Sequence, residues 1–446
     1  MKRLVLATCL FFAALTATPV HARQAPADRE DVLNLFFDCT AAGCGDLDYF
    51  RRELPFVSWV RNREDADLHV LVTSQPTGGG GLMYTLDFIG LGAWLGEDQD
   101  LTVATPADAT VDDQRSVISS RLGLGLVRYV QDSPVADRLT LTVGDGRSAP
   151  GDPARPRARS VAPDSDPWDF WVFRLNLNGN ANGESTSKFS FTRGGVSANR
   201  TTDTWKLDVG ANFLRRLQKF DFTDQDGTTR TVSETEKDWN ANSSVVRSLG
   251  EQWAIGVLAR AGSSTRRNQD LSLSVEPGIE YNFFPYSQSS RRSLTLQYLV
   301  GPTHFDYTER TIFDETAETR FRESLTGRIA LIEPWGRWST SVTASHYLHD
   351  VSRSNVTVFG NVNLRLFRGF SVFANANYQW IRDELFISAV GATTEQVLLR
   401  QRQLETSYRY FYSFGIQYQF GSIFNNVVNP RFGGGNGGGG QMMIFN

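Results

Sequence analysis

Trp205-Lys-Leu-Asp-Val-Gly-Ala-Asn-Phe213 sets an apolar or small side chain at every odd position and a polar residue or glycine at every even one. Successive side chains of an extended chain point to opposite faces, so this stretch predicts a strand with one apolar and one polar face. The pattern recurs at Trp171, Phe173, Leu175 and Leu177, at Trp253, Ile255, Val257 and Ala259, and at Leu271, Leu273, Val275, Ile279 and Tyr281. It returns once more at Val356, Val358, Val362, Leu364 and Leu366. These runs are longer than the strands of an ordinary soluble sheet, which average about 5 to 6 residues.

Working outward, alternation predicts strands at 168–179, 186–199, 203–216, 231–248, 251–264, 270–284, 291–307, 319–332, 336–349, 354–367, 370–383 and 406–420. That is an even number, twelve. Connections at 200–202, 249–250, 333–335 and 368–369 are tight, whereas 219–230, 308–318 and 383–405 are long and polar. Short turns at one end and long loops at the other describe a twelve-stranded antiparallel transmembrane β-barrel of the bacterial outer membrane, with both barrel ends in the periplasm. Aromatic residues sort the same way. Trp168, Trp171, Trp205, Trp253, Phe283, Trp335, Trp338, Phe367, Phe370 and Phe420 fall at the short-turn side, and Trp239, Tyr307, Phe321, Trp380 and Tyr410 at the long-loop side. Two such belts are expected where a barrel crosses the two lipid interfaces.

The chain has 446 residues, too many for one ordinary domain, and 10 Trp, 13 Tyr and 30 Phe exclude a wholly disordered chain. A formal net charge of −4 argues against a nucleic-acid binder. Residues 1–22 carry Lys2 and Arg3, an apolar run from Leu4 to Leu15 and small residues ending at Ala22, the pattern of a cleaved signal peptide. Export removes Cys9 and leaves Cys39 and Cys44 in an oxidising compartment, where the spacing Asp38-Cys-Thr-Ala-Ala-Gly-Cys44 suits a small local disulfide. A zinc site is short of ligands there, with only His69 in the neighbourhood.

Residues 30–142 read differently. Val32 to Phe37 is an apolar run, Leu47, Phe50, Leu54 and Val57 form a helical stripe behind a candidate N-cap at Asp46, and Leu68 to Val72 is a buried strand. Gly78 to Gly81 is a turn, Met83 to Ile89 its hairpin partner, and Ile118, Leu122, Leu126 and Val130 mark a last helix near 112–130. The order predicts a small periplasmic α+β domain. A Pro-rich linker at 143–166 separates it from the barrel at 168–420, and a Gly-rich tail occupies 421–446.

Ser413-Phe-Gly415-Ile-Gln-Tyr418-Gln-Phe420 resembles the terminal signal strand of outer-membrane proteins, polar-x-Gly-x-x-aromatic-x-aromatic. The resemblance implies recognition of Gly415, Tyr418 and Phe420 by the barrel assembly machinery. Such strands usually end the chain, whereas here residues 421–446 follow. The amino-terminal part is similar, in element order and in the strand entry Asp65-Ala-Asp-Leu-His-Val-Leu-Val72, to the small domain of the Tol-system translocation protein.

Catalytic signals are sparse. The glycines at 78–81 precede Leu82-Met-Tyr rather than the Lys-Ser or Lys-Thr of a phosphate loop, and no EF-hand spacing is present, so neither metal nor cofactor is expected. His346 and His349, three apart on the expected strand, should point to opposite faces. Outer-membrane phospholipase A shares the strand count, but its His-x-Ser motif has no counterpart here. Arg174, Lys206, Asp208, Arg260, Glu276, Glu280, Arg328 and Arg365 have apolar neighbours and are expected to face the lumen, which long charged side chains can largely fill. The reading is a nonenzymatic barrel in outer-membrane lipid, acting as a structural or interaction protein or a narrow pore. Its amino-terminal domain is expected to meet a periplasmic protein partner from the end of its linker rather than to plug the lumen. The alternative is a lipid-active or surface enzyme with a site at the long-loop rim.

Overall fold

The computed structural model describes residues 32–39, 41–138, 168–223, 227–390 and 405–424. The expected signal peptide, the linker 143–166 and the tail beyond Phe424 lie outside the described residues. Two sheets account for the fold, one of five strands and one of twelve. None of the described helices is long and apolar enough to cross a membrane, which leaves strands as a separate question.

The small domain contains β1 (Asn34–Cys39), α1 (Leu47–Glu53), β2 (Ser58–Trp59), β3 (Leu68–Pro76), β4 (Leu82–Gly90), β5 (Gln99–Thr105) and α2 (Val111–Val130). Their sheet order is β2-β1-β3-β4-β5, with β1 parallel to both β2 and β3 and the other pairs antiparallel. Asp46 caps α1 by accepting from the Tyr49 amide, and Thr110 with Asp113 forms a reciprocal capping box at α2. The helices press on one sheet face, where Leu35, Phe37, Val70, Leu86 and Phe88 meet Phe50, Ile118, Leu122 and Leu126 in a single core. Cys39 and Cys44 are disulfide-bonded, tying the end of β1 to the segment that leads into α1.

Two strands escaped the sequence reading. β2 has two residues, too few for any period, and β5 alternates modest apolar residues (Leu101, Val103) with Gln, Asp and Thr at a sheet edge. Val57 belongs to no helix, since α1 stops at Glu53 with Leu54 as its cap, although Val57 is buried.

The large sheet runs in unbroken sequence order through β6 (Trp171–Gly183), β7 (Ser187–Thr201), β8 (Trp205–Thr223), β9 (Thr229–Ser248), β10 (Trp253–Ser264) and β11 (Gln269–Asn282). It continues through β12 (Arg292–Tyr307), β13 (Ala317–Glu333), β14 (Gly336–Tyr347), β15 (Asp350–Phe367), β16 (Phe370–Ile381) and β17 (Tyr408–Tyr418). All neighbours are antiparallel. β6 and β17 stand at the two ends of the order, and no ladder joins them among the described residues.

Residues directly opposite one another share a face. The registers carry Arg174, Lys206, Asp208, Arg260, Glu276, Glu280, Arg328 and Arg365 onto one face, and Trp205, Trp253, Ile279, Phe321 and Val342 onto the other. Arg260 of β10 and Arg409 of β17 line one cavity, so the sheet curls with the charged face inside. Gly415 lies opposite Phe373, whose ring fills the space a Cβ there would need.

Three expectations change. Tyr307 is buried and donates to Glu318 on the inner face, so it is no part of an outer aromatic belt. β14 ends at Tyr347, which puts His349 in the turn rather than on the strand, while His346 pairs with Glu323 at 2.7 Å. The lengths also sort less cleanly than expected. Residues 283–291 are long despite lying at the short-turn end, because they carry a 3-10 turn (Tyr286–Gln288) and the docking residues Ser289 and Arg291.

Candidate functional site at the junction of domain and sheet

Six consecutive residues of β3, Leu68 to Thr73, are buried, which demands cover on both faces of the small sheet. Helices supply one cover. The other face presents Phe36 and Asp38 from β1, His69 and Leu71 from β3, and Asp87 from β4, and it rests on the short-turn end of the large sheet. There Arg365 of β15 donates from Nη2 to Asp38 Oδ1 at 2.8 Å and from Nη1 to Oδ2, a two-pronged pair, and its guanidinium stands 5.3 Å from the Phe36 ring centre. This geometry matches the planar fork of arginine to a carboxylate.

Around this pair the contacts follow the rim. Arg368, in the β15–β16 turn, bonds Asp65 at 2.9 Å, and Arg291 lies 3.9 Å from Asp87 while also holding Glu333. Ser289 meets Gln75 at 3.5 Å. Gly80, at φ +81 in the β3–β4 turn, abuts the tip of the Arg174 side chain of β6, and Gly78 lies so close to the Thr201 backbone that a Cβ has no room. At the other end of the order the Arg61 amide donates to Ile423 O at 3.0 Å, and Val60 bridges Phe424. The first residues of the expected free tail are therefore paired with the domain. The domain likewise touches strand ends from β6 to the segment after β17 instead of lying apart on its linker.

The electrostatics of the junction are uneven. Burial alone would raise the Asp38 carboxyl, but its hydrogen bonds with Arg365, with His69 nearby, outweigh that and hold it well below the usual carboxylate range. His69 is fully buried, 3.6 Å from Asp38, and neither ring nitrogen has a hydrogen-bond partner among the described residues. Burial pushes its pKa below the ordinary histidine value, with Asp38 pulling the other way. Asp87 is raised by burial, which Arg291 partly offsets.

Of the residues singled out from sequence, Arg365 alone joins this junction directly through an ion pair, and Arg174 joins through its contact with the Gly80 turn. Lys206, Asp208, Glu276, Glu280 and Arg328 share the inner face and pair within the sheet: Lys206 lies 4.0 Å from Asp208, Glu276 receives both Arg260 and Arg322, and Arg328 approaches Glu280 at 4.0 Å. Asp38 and His69 were missed as site residues. Their signal was an ionisable residue within or ending each of two apolar runs, at Phe36-Phe-Asp38 and Leu68-His-Val70. No cluster of three or more His, Cys, Asp or Glu suited to a metal exists among the described residues. In comparisons with known proteins, no family model and no curated protein matches the chain.

Truncating Arg365 to Ala strands the Asp38 carboxylate in the junction. Removing one member of a fully buried pair costs roughly 3 to 5 kcal/mol; with the Arg365 side chain 38% exposed, about 2 kcal/mol is expected here. Asp38→Ala combined with Arg365→Ala should then cost less than the sum of the single changes. The yield of a Gln75→Cys to Ser289→Cys cross-link in each background measures this, and strictly additive losses would contradict the pairing.

His69 gives a pH dependence with a definite sign. Its folded pKa is depressed, so below about pH 6.5 the unfolded chain binds a proton that the folded domain resists. Stability contributed by neutral His69 is present above pH 6.5 and lost as the pH falls beneath it. Urea-dependent proteolysis of the domain should show this slope between pH 7.5 and 5, and His69→Phe should flatten it.

Proposed function

We propose that the chain is an outer-membrane β-barrel whose periplasmic α+β domain is docked as a cap across the short-turn mouth, making a closed or narrow conduit anchored to the periplasmic side. The observation that carries this reading is the second face of the small sheet, set against the ends of β13 to β16 and pinned by Asp38 and Arg365, with the Gly80 turn at β6 and Val60 at the segment after β17.

Closure of the sheet is supported by the reach of the domain. Flat, twelve strands at about 4.8 Å spacing span roughly 50 Å. A domain of about 100 residues has a radius of gyration near 13 Å. It nevertheless touches β6 through Gly80 and the segment after β17 through Val60 and Arg61, which supports an approach of the two edges beneath it. The membrane assignment is supported by the apolar outer face, by exposed Trp205, Trp253, Trp335 and Phe420 at the short-turn side, and by exposed Trp239, Phe321 and Trp380 at the opposite side. Assembly through Gly415, Tyr418 and Phe420 belongs to the same reading. A periplasmic protein partner would meet the helix side of the domain, where Leu47, Val111 and Leu124 are exposed, since the sheet side is occupied.

The test compares the mature chain with one lacking residues 30–142. Both should fractionate with the outer membrane and migrate faster on gels before heating than after. In planar bilayers the intact chain should conduct little and the truncated one strongly. Equal conductance from the two would overturn the cap, and recovery in the soluble periplasm would overturn the barrel.

A further inference from the structure

At the end of the sheet away from the domain, residues 382–390 fold back across the mouth as a strap. Glu384 and Leu385 are buried, the Ile312 amide donates to Ile387 O at 2.9 Å, Ser388 bridges Thr311, and Asn268 Nδ2 donates to Phe386 O at 3.3 Å. The strap ties β16 to the loops of β10–β11 and β12–β13. Under it lies a chamber of about 420 Å³ walled by strands from β10 to β17, within the size range of small-molecule sites.

The charge of this chamber is unbalanced. Arg260, Arg267, Arg322 and Arg409 line it, against Asp383 and Glu384. Arg260 and Arg322 both bind Glu276, which is 0% exposed, so one carboxylate faces two guanidinium groups. Arg267 and Arg409 have no carboxylate partner among the described residues. Asp383 already accepts from Asn355 at 2.9 Å, and Glu384 from the Thr406 amide at 3.0 Å. Thr303, 7% exposed, adds a buried hydroxyl that lacks a partner among the described residues. Buried polar groups call for partners, and uncompensated guanidinium groups in a recess draw anions and bind oxyanions through paired N–H donors.

We propose that the chamber beneath the strap binds a small oxyanion-bearing solute, a phosphate or carboxylate compound, between Arg409 and the Arg260–Arg322 pair. The inference rests on the barrel reading, because the chamber is then the outer end of the lumen.

The experiment titrates inorganic phosphate, succinate and glucose into the detergent-purified full chain at low ionic strength by calorimetry, with heat-modifiable gel mobility recorded on the same sample. Saturable binding of phosphate or succinate without binding of glucose supports the site, and the tighter of the two anions names the source. Arg409→Gln, which breaks no ion pair among the described residues, should weaken that binding about tenfold, the loss expected for one charge-assisted contact. Arg267→Gln should weaken it as well. No anion binding by a heat-modifiable chain, or binding that Arg409→Gln leaves unchanged, overturns the site and leaves the barrel standing. A wild-type chain without heat-modifiable mobility overturns the barrel and the chamber together.

Discussion

A strand whose outward side chains are apolar can enter lipid only if each backbone N–H and C=O finds a partner on a neighbouring strand. On the barrel reading proposed above, that constraint explains most of what the chain does between Trp171 and Tyr418. Eleven antiparallel ladders satisfy the interior strands, and tight turns such as Gly369 at φ +71 keep successive strands in register. The first and last strands, β6 and β17, are where the requirement bites, because an unpaired edge within hydrocarbon costs several kcal/mol for each orphaned group. Both carry large apolar residues on the outward face, Leu175 and Leu177 on one and Phe414 and Ile416 on the other, the most exposed apolar residues of the sheet.

On the same reading, the amino-terminal domain bears on this problem from outside the membrane. Its small sheet has two faces to cover and helices for only one. The second face is apolar at Phe36 and Leu71 and charged at Asp38 and Asp87, opposite the arginines Arg365 and Arg291 of the strand ends. Apolar contact supplies area, and the paired charges fix orientation, the role for which buried ion pairs are better suited than for net stability. The neighbouring disulfide at Cys39 holds the end of β1, and with it Asp38, in place. One body thus touches both β6 and the segment after β17, which fits a curled sheet.

Local periodicity made the large sheet readable almost strand by strand, since the alternation at Trp205 to Phe213 or Trp253 to Ala261 depends on nothing but which face meets lipid or water. The disulfide and both principal helices were readable for the same local reasons, a short Cys spacing and a stripe with a cap. What escaped depends on partners far away in sequence. Asp38 and Arg365 are 327 residues apart, and nothing near either one announces the other. β5 was missed because an edge strand with polar alternation looks like a loop, and Tyr307 was misplaced because an aromatic residue near a strand end fits an outer belt as well as an inner hydrogen bond to Glu318. The strap had a faint signature, Leu385-Phe-Ile387 within a polar loop, whose meaning emerges only when Asn268 and Ile312 are seen to receive it.

The central claim is that β6 and β17 meet in the membrane, and cysteine cross-linking reads it directly. Leu175→Cys is combined in turn with Tyr412→Cys, Phe414→Cys and Ile416→Cys, and the protein is oxidised in isolated outer membranes. If the sheet closes, one of the three pairs lies opposite Leu175 and gives an intramolecular cross-link in high yield, with the others falling off to either side. If none cross-links in a chain that is inserted and heat-modifiable, the two edges do not meet and the account of a closed barrel fails.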